Sequence, residues 1–252
     1  MVPSISRENA LFRPALSANG QSDTRQLWRA NRATGASEGV YRDLKRRILR
    51  LDLAPGEALS EPHLAQQYDL SRTPIREALI RLSDEGLVDI VPKSGTTVAR
   101  IPLALLPEAI FVRLALEEAT CRQAAMRTSD SAVLRLEACV ALQREVARQP
   151  DTEAFHLADE QFHATLADVA GFPGIWTLVE RAKMHIDRYR RLTLPQHGRM
   201  PMVIDEHLAI VEAIRRRDPE AAGEAMKRHL EGLAVSIEAI RSSNPDFFAE
   251  AP

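Results

Sequence analysis

Four side chains in the C-terminal half of the chain have the types and the spacing to bind one metal ion. Asp159 and His163 are four residues apart, so a helix would present both on one face. His207 and His229 each lie eleven residues from Asp218, where one predicted helix ends and the next begins. If these two helices pack antiparallel, a rise of about 1.5 Å per residue places both imidazoles roughly 16 Å from the turn, level with each other.

A site of three imidazoles and one carboxylate indicates a divalent transition metal. Mixed nitrogen and oxygen ligation suits zinc first, with nickel, manganese or iron as alternatives, and an octahedral ion would keep two positions open. An open position could also activate water, so a metal-dependent enzyme is one alternative. Against it, Glu160 and Glu206 point off the ligand face by about 100°, which leaves no acid or base beside the ligands.

A second set of residues has the chemistry of DNA recognition. Arg72 and Arg76 are one helical turn apart, and a guanidinium donates two parallel hydrogen bonds to guanine or pairs with phosphate. Ser71 and Thr73 stand at the same predicted helix start, where hydroxyls and free backbone amides suit a phosphate oxygen. We therefore expect this helix to enter the major groove of DNA.

Three predicted helices position these residues. Residues 40–49 repeat apolar side chains at helical spacing, and Ser60 is the expected N-cap of a short second helix. Ser71 is the expected N-cap of the third helix, and Gly86 is a suitable residue to end it.

A strand pair follows the third helix. Residues 87–91 and 96–101 predict two strands, and the turn between them would bring Lys93 and Gly95 toward an adjacent DNA backbone or minor groove. Three helices followed by a hairpin predict a winged helix-turn-helix over residues 36–101.

The remainder of the chain predicts a second, all-helical domain, so the expected fold class is mainly α. Residues 1–35 are expected to form a flexible arm, 102–106 a linker, and 243–252 a frayed tail. Within residues 107–242 the breaks predict about six helices, at residues 107–127, 130–148, 151–170, 173–192, 201–216 and 219–241.

Composition narrows the class of protein. The 252 residues allow two domains, and 45% apolar and 27% charged residues are normal for a globular protein. No apolar run is long enough to span a bilayer, and the first 20 residues do not resemble a signal peptide, so we expect a cytoplasmic protein with no membrane partner. Cys121 and Cys139 are expected to be buried thiols. Because the net charge is −2, the DNA hypothesis depends on where the charges lie.

The N-terminal motifs resemble those of GntR-type transcription regulators. The resemblance covers roughly residues 37 to 101, and by it Ser71, Arg72, Thr73 and Arg76 match DNA-contacting positions, with Gly95 in the wing. Pro62 stands where some members have a phosphate-contacting arginine, so that contact is not expected. The matching segments are Leu59-Ser60-Glu61-x-x-Leu64-Ala65, Leu70-Ser71-Arg72-Thr73-Pro74-Ile75-Arg76-Glu77-Ala78-Leu79-x-Arg81-Leu82 and Glu85-Gly86-Leu87-Val88.

Residues 107 to 241 resemble the helical FCD-type ligand-binding domain of the FadR-like branch of that family. The resemblance implies a metal held by the aspartate and three histidines, with a small organic acid bound beside it. Arg113 is then a candidate for the carboxylate of that effector. The alternative for Arg113 is a structural ion pair with Glu117, one turn further on. The matching segments are Arg113-x-x-Leu116-Glu117, Asp159-x-x-x-His163, Glu206-His207-x-x-Ile210 and His229-Leu230.

These observations predict a one-component transcription regulator. One winged helix contacts few base pairs, so we expect a homodimer on a palindromic double-stranded operator. The acid would change operator affinity by binding two states of the helical domain unequally. A second alternative makes the metal itself the signal.

Overall fold

The computed structural model describes residues 35–149, 151–233 and 237–249. The predicted N-terminal arm lies outside these ranges except for Gly35, the residue before the first helix. The last three residues of the predicted tail also lie outside them.

Three helices form the N-terminal domain, which we call the head. They are α1 (Ala36–Leu49), α2 (Glu61–Tyr68) and α3 (Arg72–Asp84). Ser60 is the N-cap of α2, and its hydroxyl accepts a hydrogen bond from the backbone N–H of His63 at 3.4 Å. The apolar faces of the helices share one core, which includes Val40, Leu44, Ile48, Leu64, Ile75, Leu79 and Leu82.

A hairpin of two antiparallel strands, β1 (Val88–Val91) and β2 (Gly95–Val98), completes the head. Gly86 has a φ of 70°, the left-handed conformation expected of a residue that follows a helix. Both strands are shorter than predicted, and Ile101, expected in the second strand, pairs instead with Phe248 near the C-terminus. The order of elements confirms the predicted winged helix-turn-helix.

The C-terminal domain consists of helices in the part of the chain that the structure describes. They are α4 (Leu106–Arg127), α5 (Asp130–Val146), α6 (Thr152–Val169), α7 (Gly174–Ala182), α8 (Met184–Thr193), α9 (Arg199–Arg215), α10 (Pro219–Glu231) and α11 (Ile237–Ser243). The long helix α4 packs against α10, α5 packs against α6, and α9 pairs with α10.

Side-chain caps start three of these helices where the sequence predicts a break. Ser129, Asp151 and Asp218 each accept a hydrogen bond from the backbone N–H three residues on, at 3.2, 2.9 and 3.0 Å. The cap at Asp218 matters most for the site, because it begins α10 immediately after α9 and sets the register of that hairpin.

Two of the predicted helices are wrong, because each was expected to be continuous and is not. The helix expected over residues 173–192 is divided at Lys183 into α7 and α8, and the helix expected over 219–241 ends at Glu231. A helical repeat of apolar residues does not reveal a change of helix direction, because both segments keep the same periodicity. At Lys183, the buried ammonium contacts the carboxylates of Glu160 on α6 and Asp187 on α8.

The prediction of a frayed tail is wrong for residues 243–249. Ile101 N–H donates to the carbonyl of Phe247 at 2.8 Å, and Ala249 N–H donates to the carbonyl of Ile101 at 3.0 Å. The side chain of Phe248 is only 3% exposed. The gain from burying this aromatic ring and pairing the backbone explains why the segment docks.

Two expectations from composition can be compared with the structure. Cys121 and Cys139 are buried, unbridged thiols, as predicted. Among the described residues, no helix combines the length and the apolar character required to cross a bilayer.

Candidate metal and DNA-binding sites

The four predicted metal ligands meet inside the helical domain. Asp159 and His163 come from α6, His207 from α9 and His229 from α10, and one ligand atom from each lies within 4.8 Å of the others. The Nε2 atoms of His207 and His229 are 3.4 Å apart, as the predicted antiparallel hairpin requires. None of the four is more than 2% exposed.

Each histidine in this cluster has an oxygen acceptor beside its Nδ1 atom. An acceptor at Nδ1 favours the proton there and leaves the lone pair on Nε2, the atom that faces the other ligands. Each of the three rings is therefore oriented as in a metal-binding histidine, with Nε2 toward the other ligands. The pairs are His163 with Glu117 at 2.5 Å, His207 with Gln143 at 3.0 Å, and His229 with Glu206 at 2.7 Å.

The histidine and aspartate side chains of this cluster also have protonation states that favour binding of a cation. Burial holds the pKa values of His207 and His229 well below the usual value, so both rings are neutral. Burial alone would raise the pKa of Asp159, but the guanidinium of Arg190, which pairs with Oδ2, outweighs it and lowers that pKa well below the usual value. A carboxylate and neutral imidazoles are the forms that bind a divalent metal.

Three buried polar atoms of the cluster form no hydrogen bond with the described residues. They are Oδ1 of Asp159 and both ring nitrogens of His163, of which Nδ1 forms the close ion-pair contact with Glu117. Asp159 Oδ1 is 3.8 Å from His207 Nε2, and Asp159 Oδ2 is 3.9 Å from His163 Nε2. Buried polar atoms without partners call for a ligand or an ion, and these residues fit a divalent cation.

Arg113 forms the ion pair with Glu117 and also keeps two nitrogens without a partner among the described residues. Its Nε donates to Oε1 of Glu117 at 2.6 Å, so the structural ion pair exists. Its two terminal nitrogens are buried and have no hydrogen-bond partner among the described residues. The guanidinium, 1% exposed, thus keeps a pair of donors free for a carboxylate.

The indole of Trp176 lies beside the four candidate metal ligands. It stacks on the ring of His163 with centroids 5.9 Å apart and an interplanar angle of 7°. Lys183 Nζ lies 5.4 Å from the centre of the same indole.

The six residues predicted to contact DNA are all exposed on the head: Ser71, Arg72, Thr73, Arg76, Lys93 and Gly95. Ser71 occupies the N-cap position of α3, but its hydroxyl makes no capping hydrogen bond. Neither Arg72 nor Arg76 forms a hydrogen bond or ion pair with any described residue. Arg81 on the same helix, by contrast, pairs with Glu38 at 2.6 Å and covers the ring of Tyr41.

Sequence reasoning missed the residues that orient the ligands. Gln143 is a single amide on the buried face of α5 that also carries Leu136 and Val140, and a polar residue in such a stripe is the signal that could have revealed it. Glu206 points away from the metal position, as expected from its spacing, and instead contacts the neighbouring helix at His229. No pattern in the sequence indicated that Arg190 would pair with Asp159.

Comparisons with known proteins agree with both domains. Residues 36–98 match the family described as "Bacterial regulatory proteins, gntR family", and residues 108–232 match the FCD domain. The HTH-type transcriptional repressor RspR of Escherichia coli (strain K12) is 33% identical over 214 residues, which cover 85% of this chain and 94% of that protein. The chain belongs to the GntR family.

One further relative and one solved structure are also similar to this chain. An uncharacterised HTH-type regulator from an unstable DNA locus of Streptomyces ambofaciens is 39% identical over 83% of this chain and 88% of its own length. The crystal structure of a putative GntR regulator from Rhodococcus sp. RHA1 has a TM-score of 0.65 and 26% identity, and the match covers 81% of this chain and 97% of that one.

Membership of the GntR family decides between the classes of function considered above. These relatives are DNA-binding transcription regulators and not enzymes. The chain is therefore a transcription regulator, and the metal-dependent enzyme is the wrong alternative.

Proposed function

We propose that this GntR regulator represses transcription and that a small carboxylic acid, bound beside a divalent metal, controls its operator affinity. The observation that carries the proposal is the buried cluster of Asp159 and three histidines, with a carboxylate or amide oxygen within 3.0 Å of each Nδ1. Repression is proposed because the relative RspR is named a repressor.

The metal would be held by Asp159, His163, His207 and His229. Three imidazole nitrogens and one carboxylate oxygen favour zinc, with nickel, manganese or iron as alternatives. The bound ion would supply a Lewis-acidic position for an oxygen of the acid. Glu117, Gln143 and Glu206 would orient the imidazoles from outside, because an acceptor at Nδ1 fixes the ring and raises the basicity of Nε2.

The acid would be recognised by Arg113. Its two terminal nitrogens can donate two parallel hydrogen bonds to one carboxylate. Because both nitrogens are buried, the low local dielectric would strengthen that interaction. The ion pair with Glu117 would hold the guanidinium in position and connect it to His163, whose Nδ1 is 2.5 Å from the same carboxyl group.

DNA would be bound by the exposed start of α3 and the tip of the hairpin. Arg72 and Arg76 lack partners among the described residues, so both are available to bases or phosphates. Ser71, Thr73, Lys93 and Gly95 would contact the backbone or the adjacent groove. Two heads in a homodimer would read the two halves of a palindromic operator.

The proposal is tested by metal analysis and a thermal-shift screen. Purified protein should contain close to one metal ion per chain, and His207→Ala should lose it while still binding operator DNA. A panel of carboxylic acids should include one that raises the melting temperature of the metal-loaded protein markedly, since a ligand at 100 times its Kd stabilises by about 2.7 kcal/mol. The same acid should weaken operator binding.

Two results would overturn this scheme. Equal metal content in wild type and His207→Ala would remove the site. Operator affinity that follows metal concentration without responding to any acid would instead make the metal the signal.

A further inference from the structure

We propose that helix α8 couples the ligation of Asp159 to the position of the DNA-binding head, and that Arg188 and Arg190 are the positioning residues of this connection. The inference rests on the proposed metal site and adds the route by which that site would reach DNA. The contacts involved lie between the two domains. Neither metal binding nor DNA binding depends on them directly.

One face of α8 contacts the metal cluster. Arg190 pairs with Oδ2 of Asp159, and both side chains are almost completely buried, at 4% and 0% exposed. The other oxygen of that carboxylate, Oδ1, is the one without a hydrogen-bond partner among the described residues and the one nearer to His207. Arg190 and a cation would therefore share one carboxylate group.

The opposite face of α8 contacts the head. Arg188 is fully buried, and its Nη2 donates to the carbonyl of Ala99, directly after strand β2, at 2.5 Å. The ring of His185 lies against Gly86, at the end of α3, and Met184 packs on the core of the head. Burial and the neighbouring Arg188 lower the pKa of His185 to about 4, so a neutral ring occupies this interface.

Helix geometry explains why one element can serve both sides. Arg188 and Arg190 are two residues apart, and about 100° per residue places them about 200° apart around the axis. A short helix moves as a rigid body, so a displacement at Arg190 is passed to Arg188. Arg191 also connects α8 to α6, because its Nε pairs with Glu153 at 3.0 Å.

Arg188 is also poorly satisfied in this arrangement. Its Nε and Nη1 have no hydrogen-bond partner among the described residues, and burial lowers its pKa to about 10. A buried guanidinium with one hydrogen bond is a costly contact, and such a contact is one that a modest change elsewhere can break. The docked head is therefore one of two states that the ligation of Asp159 can bias.

The test compares metal-free and zinc-loaded protein, with zinc as the only probe. In wild type, operator Kd should differ at least fivefold between the two forms, within the usual range of coupling energies. In Arg188→Met, which keeps the volume but removes the donors, zinc and operator should each still bind, and the ratio of the two operator Kd values should fall to within about twofold of one. Arg181→Met, an exposed arginine on α7, is the matched control and should keep the wild-type ratio.

A second measurement needs no variant. Amide hydrogen exchange in wild type should change on zinc loading at Leu87 and Ala99, which flank the contact with α8, and not in α2. Reciprocity also requires that operator DNA change the zinc Kd by the same factor.

The outcomes separate the two proposals. Failure of zinc to bind at the four ligands would remove the proposed metal site. Zinc binding without any change in wild-type operator affinity or in exchange at Leu87 and Ala99 would overturn the role of α8. An unchanged ratio in a folded Arg188→Met protein would overturn it as well.

Discussion

At the level of single residues, the proposed metal site depends on the groups behind the histidines as much as on the histidines themselves. A buried imidazole can place its lone pair on either ring nitrogen, and the group that accepts from the other nitrogen decides which. In this chain Gln143 holds the ring of His207, and its own amide donates to the carbonyl of Ala158 at 3.4 Å. The amide therefore has one orientation, with its oxygen toward the imidazole.

This arrangement predicts that Gln143→Leu lowers metal affinity by about 10–100-fold without removing a ligand. Leucine fills a similar volume but cannot accept from Nδ1 of His207. Competition with a chromogenic chelator measures the change. Gln161→Leu, an exposed glutamine on α6, is the control and should leave the affinity as it is. Equal affinity in Gln143→Leu and wild type would mean that the contact does not orient the ring.

The buried histidines also predict how stability depends on pH. Burial lowers the pKa of His207 and His229 below the ordinary histidine value of about 6.5, so the unfolded chain takes up protons that the folded chain does not. Metal-free protein should therefore lose stability as pH falls below about 6.5, by up to about 1.4 kcal/mol per pH unit for each ring.

Urea unfolding of metal-free protein between pH 7.5 and 5.5 measures this dependence. His207→Gln should make the slope shallower, whereas His63→Gln, which changes an exposed histidine, should not. A free energy of unfolding that is constant across this range would contradict the buried, neutral state of the two rings.

At the scale of elements, α3 divides its arginines between two tasks. Arg81, near the end of the helix, is engaged by Glu38, whereas Arg72 and Arg76, near its start, have no partner in the described part of the chain. The apolar residues between them, Ile75 and Leu79, bury one face of the helix in the head and so aim the other outward.

We expect Arg72→Ala to weaken operator binding by about 1–3 kcal/mol, the range for an arginine that contacts a base. Fluorescence anisotropy with a selected operator fragment measures the loss. Arg81→Ala is a matched control on the same helix and should retain operator affinity. If Arg72→Ala binds as wild type does, α3 is not the reading helix.

A second element, residues 245–249 after α11, contacts the last residues of the head, Arg100 and Ile101. Phe248 is buried where Ile101 pairs with its neighbours, and Arg100 Nε donates to the carbonyl of Asp246 at 2.9 Å. The contact places a C-terminal segment against the junction of the two domains.

Because the ring of Phe248 is buried, Phe248→Ala should reduce the free energy of unfolding by about 3–5 kcal/mol. Chemical denaturation measures the loss. Phe111→Ala, on α4, is the control because that ring is 70% exposed. A loss below about 1 kcal/mol in Phe248→Ala would show that the segment is not docked in solution.

At the scale of the whole molecule, the two domains share a buried boundary. Contacts cross it from α8 to Ala99 and Gly86, and Glu153 of α6 also lies 3.7 Å from Arg50 at the end of α1. Because the head packs on the C-terminal domain in this way, a change in that domain can be transmitted to the head through direct contacts.

Operator binding by a homodimer predicts two chains on each palindromic fragment. Light scattering of the complex measures the mass, and a fragment with a single half-site should bind much more weakly because it engages one head. One chain per full operator would contradict the dimer.

Features that act over a few residues could be predicted from the amino-acid sequence. The helical period, the caps at Ser60 and Asp218 and the turn between α9 and α10 depend on neighbours a few residues away, and they were enough to predict the winged helix and the levelling of His207 with His229. Contacts between distant groups, by contrast, are seen only in the folded chain. Gln143 behind His207, Arg190 on Asp159, Arg188 against Ala99 and Phe248 beside Ile101 are separated by 31 to 147 residues, and long-range packing leaves no periodic signal in the sequence.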